Sequence, residues 1–299
     1  MTIIAMTGGT GFVGGHLLTQ AVAAGHRVRA LARRPQPARD GVEWIAGSLD
    51  EPHSLAALME GAQGVIHVAG AVNAADRAGF ARVNIDGTAA VLAAATGAGI
   101  TRFVHVSSLS AREPQLSDYG WSKAQAEGVV TASGLDWSIV RPPAIYGPGD
   151  REMLEIFRMA ARGVVLLPPA GRFSIIAAED LARLLLVQLT AYDGCILEAD
   201  DGTPDGWDYH AFARLLGTIL GRRRVRTVAM PGMLLALGAR IDGLVRGKGA
   251  KLTPDRVGYL RHPDWVVRDP MPDGPWRPLI ATPAGLHDTA RWYRAHGWL

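Results

Sequence analysis

Cysteine is almost missing from this 299-residue chain. The lone Cys195 excludes an internal disulfide, and no CxxC or Cys/His cluster has metal-ligand spacing, so no metal is expected and a reducing cytoplasm is the expected location. An excess of one charge is missing too. Against 31 Lys and Arg stand 28 Asp and Glu, a net charge of +3, and the arginines are scattered along the chain, so nothing calls for a nucleic-acid partner. No apolar run approaches the roughly 20 residues of a membrane-spanning helix. The most apolar late stretch, Met230 to Leu237, is soon followed by Arg240 and Asp242, which leaves only weak contact with a membrane surface open. The opening MTIIAMTGG lacks the basic region, apolar run and cleavage site of a secretory signal. Internal repeats and low-complexity segments are also absent.

What is present is a chain with 48% hydrophobic residues, enough for a substantial core. Up to about residue 141, short Val- and Ile-rich runs alternate with Ala-rich amphipathic stretches, the pattern of repeated βα units. Strands are predicted at Ile3–Met6, Val28–Ala32, Glu43–Ala46, Val65–Val68, Phe103–Ser107 and Ser138–Arg141. Helices are predicted near 12–24, 53–60, 79–97 and 118–132, the last closing at Gly134. The expected fold is α/β, a Rossmann-type doubly wound parallel sheet with a smaller, mostly helical lobe. Beyond Tyr146 the pattern is less regular: a helix near 151–162, a strand at Phe173–Ile176, a helix at 179–190, a strand near Cys195–Ala199, and a Pro-rich connector from Pro263 to Pro283. Residues 1–148 are expected to form the dinucleotide-binding core, with 176–199 returning to it. Residues 149–175 and 200–299 are expected to form the substrate lobe.

Directly after the first strand, Thr7-Gly8-Gly9-Thr10-Gly11-Phe12-Val13-Gly14 satisfies both GxGxxG and GxxGxxG. Glycines allow the tight turn and a close backbone approach to a pyrophosphate, while the following helix offers free N–H groups and the positive end of its dipole. In NAD-selective sites an acidic residue about 20 residues further on binds the adenosine ribose. Here that slot is Ala32, followed by Arg33 and Arg34. A guanidinium can hold a 2′-phosphate that a carboxylate would repel, so NADP is favoured over NAD, although two arginines at a strand end could also be merely solvated. Tyr119 and Lys123 stand four residues apart on a predicted helix and share one face. A fixed positive neighbour stabilises the phenolate and brings a tyrosine toward useful acid–base chemistry.

With Val106-Ser107-Ser108 at the end of the fifth strand, the chain resembles the short-chain dehydrogenase/reductase superfamily, in its extended or epimerase/dehydratase branch. The ordered motifs are TGGTGFVG, VIHVAGAV at 65–72, VNIDGTAAVL at 83–92, FVHVSSLS at 103–110, YGWSKAQAE at 119–127 and VRPPAIYGPGD at 140–150. The resemblance implies that Ser108 hydrogen-bonds the substrate oxygen, Tyr119 exchanges its proton and Lys123 holds the nicotinamide ribose. Ser107 takes the role of Ser108 if the register differs by one. The resemblance further implies cofactor contacts from Gly8, Gly11, Phe12, Val13, Gly14, Arg33, Arg34, Ser48, Leu49, Ala69, Gly70 and Pro142, with Asn84 supporting the region.

Two departures stand out: Gly47-Ser48-Leu49 replaces the usual GDL, and the gap from Ser108 to Tyr119 is short. The segment around Tyr146 is more similar to dihydroflavonol reductase-like and 3β-hydroxysteroid dehydrogenase-like members than to sugar-nucleotide epimerases. The reading is therefore an NADP-dependent oxidoreductase acting on a small, lipophilic carbonyl compound or the matching alcohol. The alternatives are a sugar-nucleotide epimerase or dehydratase with retained cofactor, and a non-catalytic NADPH-binding protein. Met153, Leu154, Phe157, Val164, Leu166 and part of Met230–Leu237 are expected to give an apolar lobe, or to be packing residues. Arg158, Arg162 and Arg172 could instead hold a diphosphate. A homodimer is compatible with the sequence.

Overall fold

Why a parallel sheet forms is visible in burial. The computed structural model describes residues 2–191, 194–247, 252–268 and 274–299. Strand β1 (Ile3–Thr7) leads into α1 (Phe12–Ala23), β2 (Arg27–Ala32), β3 (Val42–Ala46), α2 (Pro52–Met59) and β4 (Gly64–His67). After β4 come α3 (Arg77–Phe80), a π-helical turn (Ala81–Asp86), α4 (Gly87–Gly97), β5 (Arg102–Val106), a 3₁₀ turn (Leu109–Arg112), α5 (Asp118–Thr131) and β6 (Asp136–Arg141). All four residues of β4 and all five of β5 are buried, as central strands covered on both faces require. The edge strand β3 has none fully buried.

The first compact unit comprises the described parts of Met1–Pro142, Ala178–Glu198 and Met271–Arg277. Its sheet has seven parallel strands in the order β11-β6-β5-β4-β1-β2-β3, where β11 is Cys195–Glu198. The strand order reverses between β1 and β4, and the crevice at their carboxyl ends is where such sheets bind ligands. Leu55, Leu58, Val65, Val91 and Phe103 belong to a core cluster under α2 and α4. Each such side chain contributes about 1.5–3 kcal/mol of burial. Helix α7 (Ala178–Val187) also belongs to this unit, where Trp276 Nε1 donates to the Asp180 carbonyl at 3.0 Å.

The second unit comprises the described parts of Pro143–Ala177, Ala199–Pro270 and Pro278–Leu299. It holds β7 (Ala144–Tyr146), α6 (Leu154–Arg162), β8 (Val164–Leu167), β9 (Arg172–Phe173), β10 (Ile175–Ala177), β12 (Trp207–Asp208), α8 (Tyr209–Ile219) and β13 (Arg226–Ala229). Helices α9 (Gly232–Arg246), α10 (Pro254–Leu260) and α11 (Thr282–Ala295) and the short β14 (Asp264–Trp265) complete it. Its core gathers Tyr146, Phe157, Phe212, Leu286 and Tyr293. The C-terminal aromatics pack: the Tyr293 hydroxyl donates to the Asp150 carbonyl at 2.7 Å, and the Trp298 ring stacks at 5.8 Å from that of Tyr293.

The chain departs from expectation where local chemistry intervenes. The helix predicted at 79–97 is interrupted by the π-helical turn. The helix predicted from 151 starts at Leu154, because the buried Asp150 carboxylate accepts from the N–H groups of Glu152 and Met153 at 2.8 and 3.0 Å. The strand predicted at Phe173–Ile176 divides at buried Ser174, with β9 pairing β12 and β14 while β10 pairs β7. Gly134 takes a left-handed φ of 73°, two residues past the cap of α5. Cys195 is only partly buried. Residues 269–273 of the expected Pro263–Pro283 connector lie outside the described residues.

Candidate active site

The glycine loop is shaped by contacts that side chains would destroy. Gly8 has φ of 76°, and a Cβ there would lie 2.6 Å from the Ala69 nitrogen. A Cβ on Gly14 would lie 2.0 Å from the Gly8 carbonyl oxygen. The loop is closed by the Gly11 N–H donating to that same oxygen at 3.0 Å, and α1 begins one residue later at Phe12. No side chain caps this end, so the N–H groups of Phe12, Val13 and Gly14 stand in the first turn at the positive end of the helix. A narrow, Cβ-free cradle at a helix N-terminus fits a dinucleotide pyrophosphate.

From this cradle a chain of hydrogen bonds runs into the sheet. The Ala69 N–H donates to Thr7 Oγ1 at 3.2 Å, and Thr7 Oγ1 lies 2.7 Å from His67 Nδ1. On the other side, His67 Nε2 lies 3.0 Å from Thr88 Oγ1, which donates to the Asn84 carbonyl at 2.6 Å. Since the Thr88 hydroxyl proton is spent on Asn84, His67 must donate from Nε2 and accept at Nδ1. This matches a neutral imidazole, its pKa lowered to about 3 by burial and then by the charge of Lys123. His105 stacks on it at 5.5 Å and is pushed well below the ordinary histidine value by the same two causes. The His105 ring nitrogens make no hydrogen bond among the described residues.

Asn84 lies inside the π-helical turn and is buried. Its Oδ1 accepts from the Ala71 N–H at 2.7 Å, while Nδ2 donates to the Ala71 carbonyl at 3.0 Å and to Ser122 Oγ at 2.8 Å. The amide is thus committed to clamping the loop after β4 against α5. A Cβ on Gly70 would lie 3.2 Å from Asn84 Oδ1 and 3.4 Å from Lys123 Nζ, so Gly70, Asn84 and Lys123 converge.

Helix α5 starts where Ser117 Oγ accepts from the Gly120 N–H at 2.9 Å. Gly120 itself leaves room for the 3₁₀ turn, because a Cβ there would lie 2.7 Å from the Ser110 carbonyl oxygen. Lys123 is buried, and its Nζ donates to the carbonyl of Val106, the last residue of β5, at 2.8 Å. Burial lowers its pKa to about 8 against the opposing pull of Glu127. Tyr119 lies one helical turn earlier, half-buried, its ring 6.0 Å from that of Phe80. Ser108 follows β5 and opens the 3₁₀ turn, with Oγ 3.0 Å from Ser110 Oγ and accepting from the Ser110 N–H at 3.2 Å. Ser107, the alternative by register, is buried and donates to Glu127 Oε1. Ser108 and the Lys123 ammonium therefore lie at the carboxyl end of β5, with Tyr119 one helical turn before Lys123 on α5. The Pro142 carbonyl, just past β6, accepts from the Leu109 N–H at 2.9 Å and ties this turn down.

The remaining candidates are more dispersed. Arg33 and Arg34 are exposed just beyond β2, and Phe12 packs edge-on against His16 at 5.3 Å. Ser48 accepts from Ser54 Oγ through its carbonyl at 3.2 Å, and Leu49 packs where a Cβ on Gly87 would meet it at 2.8 Å. In the second unit, Val164 and Leu166 are 43% and 48% exposed, and Met233, Leu234 and Leu237 also point into solvent, so they do not line an apolar interior. Met153, Leu154 and Phe157 do pack in that unit's core. Two arginines considered for a diphosphate are otherwise engaged: Arg158 donates to the Trp298 carbonyl at 3.1 Å, and Arg172 to the Asp205 and Gly206 carbonyls at 2.6 and 3.0 Å.

One buried group escaped the sequence reading. Glu127 accepts from Arg141 Nε and Nη2 at 2.8 and 2.6 Å as well as from Ser107, and Arg141 and Arg112 face Glu198 at 3.6 and 3.5 Å. The Arg141 pKa is raised above its ordinary value, chiefly by the hydrogen bond it donates to Glu127. The signal available was periodicity: Tyr119, Lys123 and Glu127 recur every four residues on one face of α5.

Among the described residues, no group of three His, Cys, Asp or Glu could hold a metal, and no helix is long and apolar enough to cross a membrane. A family profile described as NAD(P)H-binding matches residues 8–190. The chain is 40% identical over 314 residues to a ceramide reductase of Caulobacter vibrioides, covering 99% of this chain and 96% of the relative. It is 31% identical over 235 residues to a 3 beta-hydroxysteroid dehydrogenase/Delta 5→4-isomerase of Mycobacterium tuberculosis, covering 68% and 61%. Among solved structures, MoeE5 in complex with UDP-glucose and NAD superposes with a TM-score of 0.75 at 21% identity over 99% of both chains, which shows a shared fold. The chain belongs to the NAD(P)H-binding family and is an oxidoreductase of the extended short-chain dehydrogenase/reductase type.

Proposed function

We propose that the protein is an NADPH-dependent ketoreductase whose substrate is a lipophilic ketone of the ceramide class. The observation that carries this reading is the 40% identity to a ceramide reductase over nearly the full length of both chains. It is supported by Ser108 directly following β5, Lys123 Nζ bound to the last carbonyl of that strand, and Tyr119 one helical turn before Lys123. The Gly8–Gly14 cradle and the α1 N-terminus would hold the pyrophosphate, Arg33 and Arg34 the 2′-phosphate, and Ala69, Gly70 and Lys123 the nicotinamide ribose end of the cofactor. When bound, that group supplies the hydride.

The residues of the chain supply the proton. Ser108 Oγ donates a hydrogen bond to the substrate oxygen, and Tyr119 Oη gives its proton to that oxygen as charge develops there. Lys123, held by the Val106 carbonyl, keeps a positive charge behind the phenol and stabilises the phenolate left by the transfer. Because His67 and His105 stay neutral, they do not compete with Lys123 for the proton. The second unit is assigned to substrate binding, and a reducing cytoplasm is assigned as the compartment. The test is NADPH consumption on a panel of detergent-dispersed ceramide-class ketones, simple ketones and sugar nucleotides. Consumption with the lipid ketones is expected. Epimerisation of a sugar nucleotide without net cofactor turnover, or consumption with none of the ketones, would overturn the reading.

A further inference from the structure

Helix α9 is amphipathic in the wrong sense for a helix facing water. Met233, Leu234, Leu237, Ile241, Leu244 and Val245 are 84%, 48%, 52%, 52%, 88% and 76% exposed, whereas Ala239 is buried. At 100° per residue these six side chains fill one continuous arc of about 120°, with Arg240 on its border. Ordinary surface helices turn such an arc inward. Apolar side chains are also exposed on the strands that precede the helix in sequence: Leu166 on β8 pairs with Val228 on β13, and both are exposed.

Along the chain leading into this arc the charge has one sign, and the acid that follows on α9, Asp242, lies outside the arc and pairs with Arg246 at 3.2 Å. From Tyr209 to Ile241 there is no Asp or Glu, while Arg222, Arg223, Arg224, Arg226 and Arg240 are all exposed. An apolar arc with Arg240 on its border, in a stretch of chain rich in exposed arginines, is complementary to a bilayer with anionic headgroups: the apolar side chains enter the acyl boundary and the guanidinium groups reach the phosphates. A second copy of the chain is a poorer match, since a two-fold contact would set the same basic strip against itself.

We infer that α9, with the outer face of β8 and β13, is a membrane-docking surface that binds anionic phospholipid bilayers without spanning them. This inference stands independently of the reductase reading. A ketone of the ceramide class would reside in such a bilayer, so the two readings are compatible.

The test is flotation of the purified full-length chain with phosphatidylcholine vesicles and with the same vesicles doped with phosphatidylglycerol. Binding is expected to the doped vesicles, weakening as salt is raised. Each of Arg222→Gln, Arg224→Gln and Arg240→Gln should weaken it about fivefold. The double variant Leu237→Glu, Leu244→Glu should weaken it more than about tenfold, and it keeps its fold because both leucines lie in solvent. Failure to float with doped vesicles, or equal flotation of the double variant, would overturn the inference. A dimer that the double variant converts to monomer, with no vesicle binding by either, would also overturn it and assign the surface to a second copy.

Discussion

Replacing Lys123 by methionine should give a protein that is more stable and catalytically disabled. The ammonium lies almost wholly out of water, and burial has brought its pKa from 10.5 to about 8. Each tenfold loss of proton affinity is worth about 1.4 kcal/mol, so the folded state carries about 3 kcal/mol of strain for keeping this lysine charged. Methionine has a similar length and no charge to desolvate. It forfeits the hydrogen bond to Val106, worth about 1 kcal/mol, which leaves a net gain of about 2 kcal/mol at neutral pH. At roughly 2–4 °C per kcal/mol, melting should rise by about 4–8 °C.

The pH dependence of that gain follows from the direction of the shift. A lysine depressed in the folded state penalises stability fully below about pH 8. The penalty fades as pH rises toward the unfolded value of 10.5, because there the unfolded chain binds the extra proton. The advantage of the variant should therefore be complete at pH 7, shrink above about pH 8 and reverse before pH 10.5, where only the lost hydrogen bond to Val106 remains. Thermal melting of both proteins across that range is the assay, with NADPH titration to show the expected loss of cofactor affinity. A variant less stable than the parent at pH 7, or an advantage independent of pH, would refute the reasoning.

Other substitutions separate the remaining roles. Tyr119→Phe should retain fold and NADPH binding while turnover on the best ketone falls by about 10²–10⁴, as for lost general acid catalysis; near-normal turnover with chemistry rate-limiting would remove Tyr119 from the mechanism. Arg33→Asp should reverse a preference for NADPH over NADH, measured by titration at fixed salt; equal affinities in the parent would defeat the assignment of the 2′-phosphate site. Glu127→Gln removes half of a buried ion pair and should cost about 3 kcal/mol in a melting experiment. The same change removes the influence that raises the Lys123 pKa, so the alkaline limb of kcat/KM should move to lower pH; an unmoved limb would confine Glu127 to a structural role.

The parts of the structure legible in the sequence are those whose cause is local. Gly8, Gly11 and Gly14 announced a strand, cradle and helix because only glycine tolerates those approaches, and the Val- and Ile-rich runs announced strands because central parallel strands bury both faces. The break in the helix predicted at 79–97 had a local sign in Val83 to Thr88, a run of weak helix formers, but composition does not tell that a π-helical turn there directs Asn84 inward. Strand order was hidden for a different reason: pairings such as Ser138 with Cys195 join residues far apart in the chain. The Ser107, Glu127, Arg141 and Glu198 group shares that property, each partner looking like an ordinary polar residue until the fold brings them together. Met230–Leu237 is legible as apolar, but composition carries no information about which side of a helix meets solvent, and Met233, Leu234 and Leu237 are exposed.

The late arrival of β11 has a consequence for the nascent chain. Strand β6 ends at Arg141, but the strand that completes the sheet beside it ends only at Glu198, 57 residues later. At roughly 5–20 residues per second, a ribosome leaves that edge of β6 unpaired for about 3–11 s. During this interval the open N–H and C=O groups of Ser138 to Val140 can template pairing with another chain, and Arg141 has yet to meet Glu198. Synthesis through Glu198 therefore marks the point at which the growing chain closes this edge, and a pause or truncation before it should favour aggregation over folding.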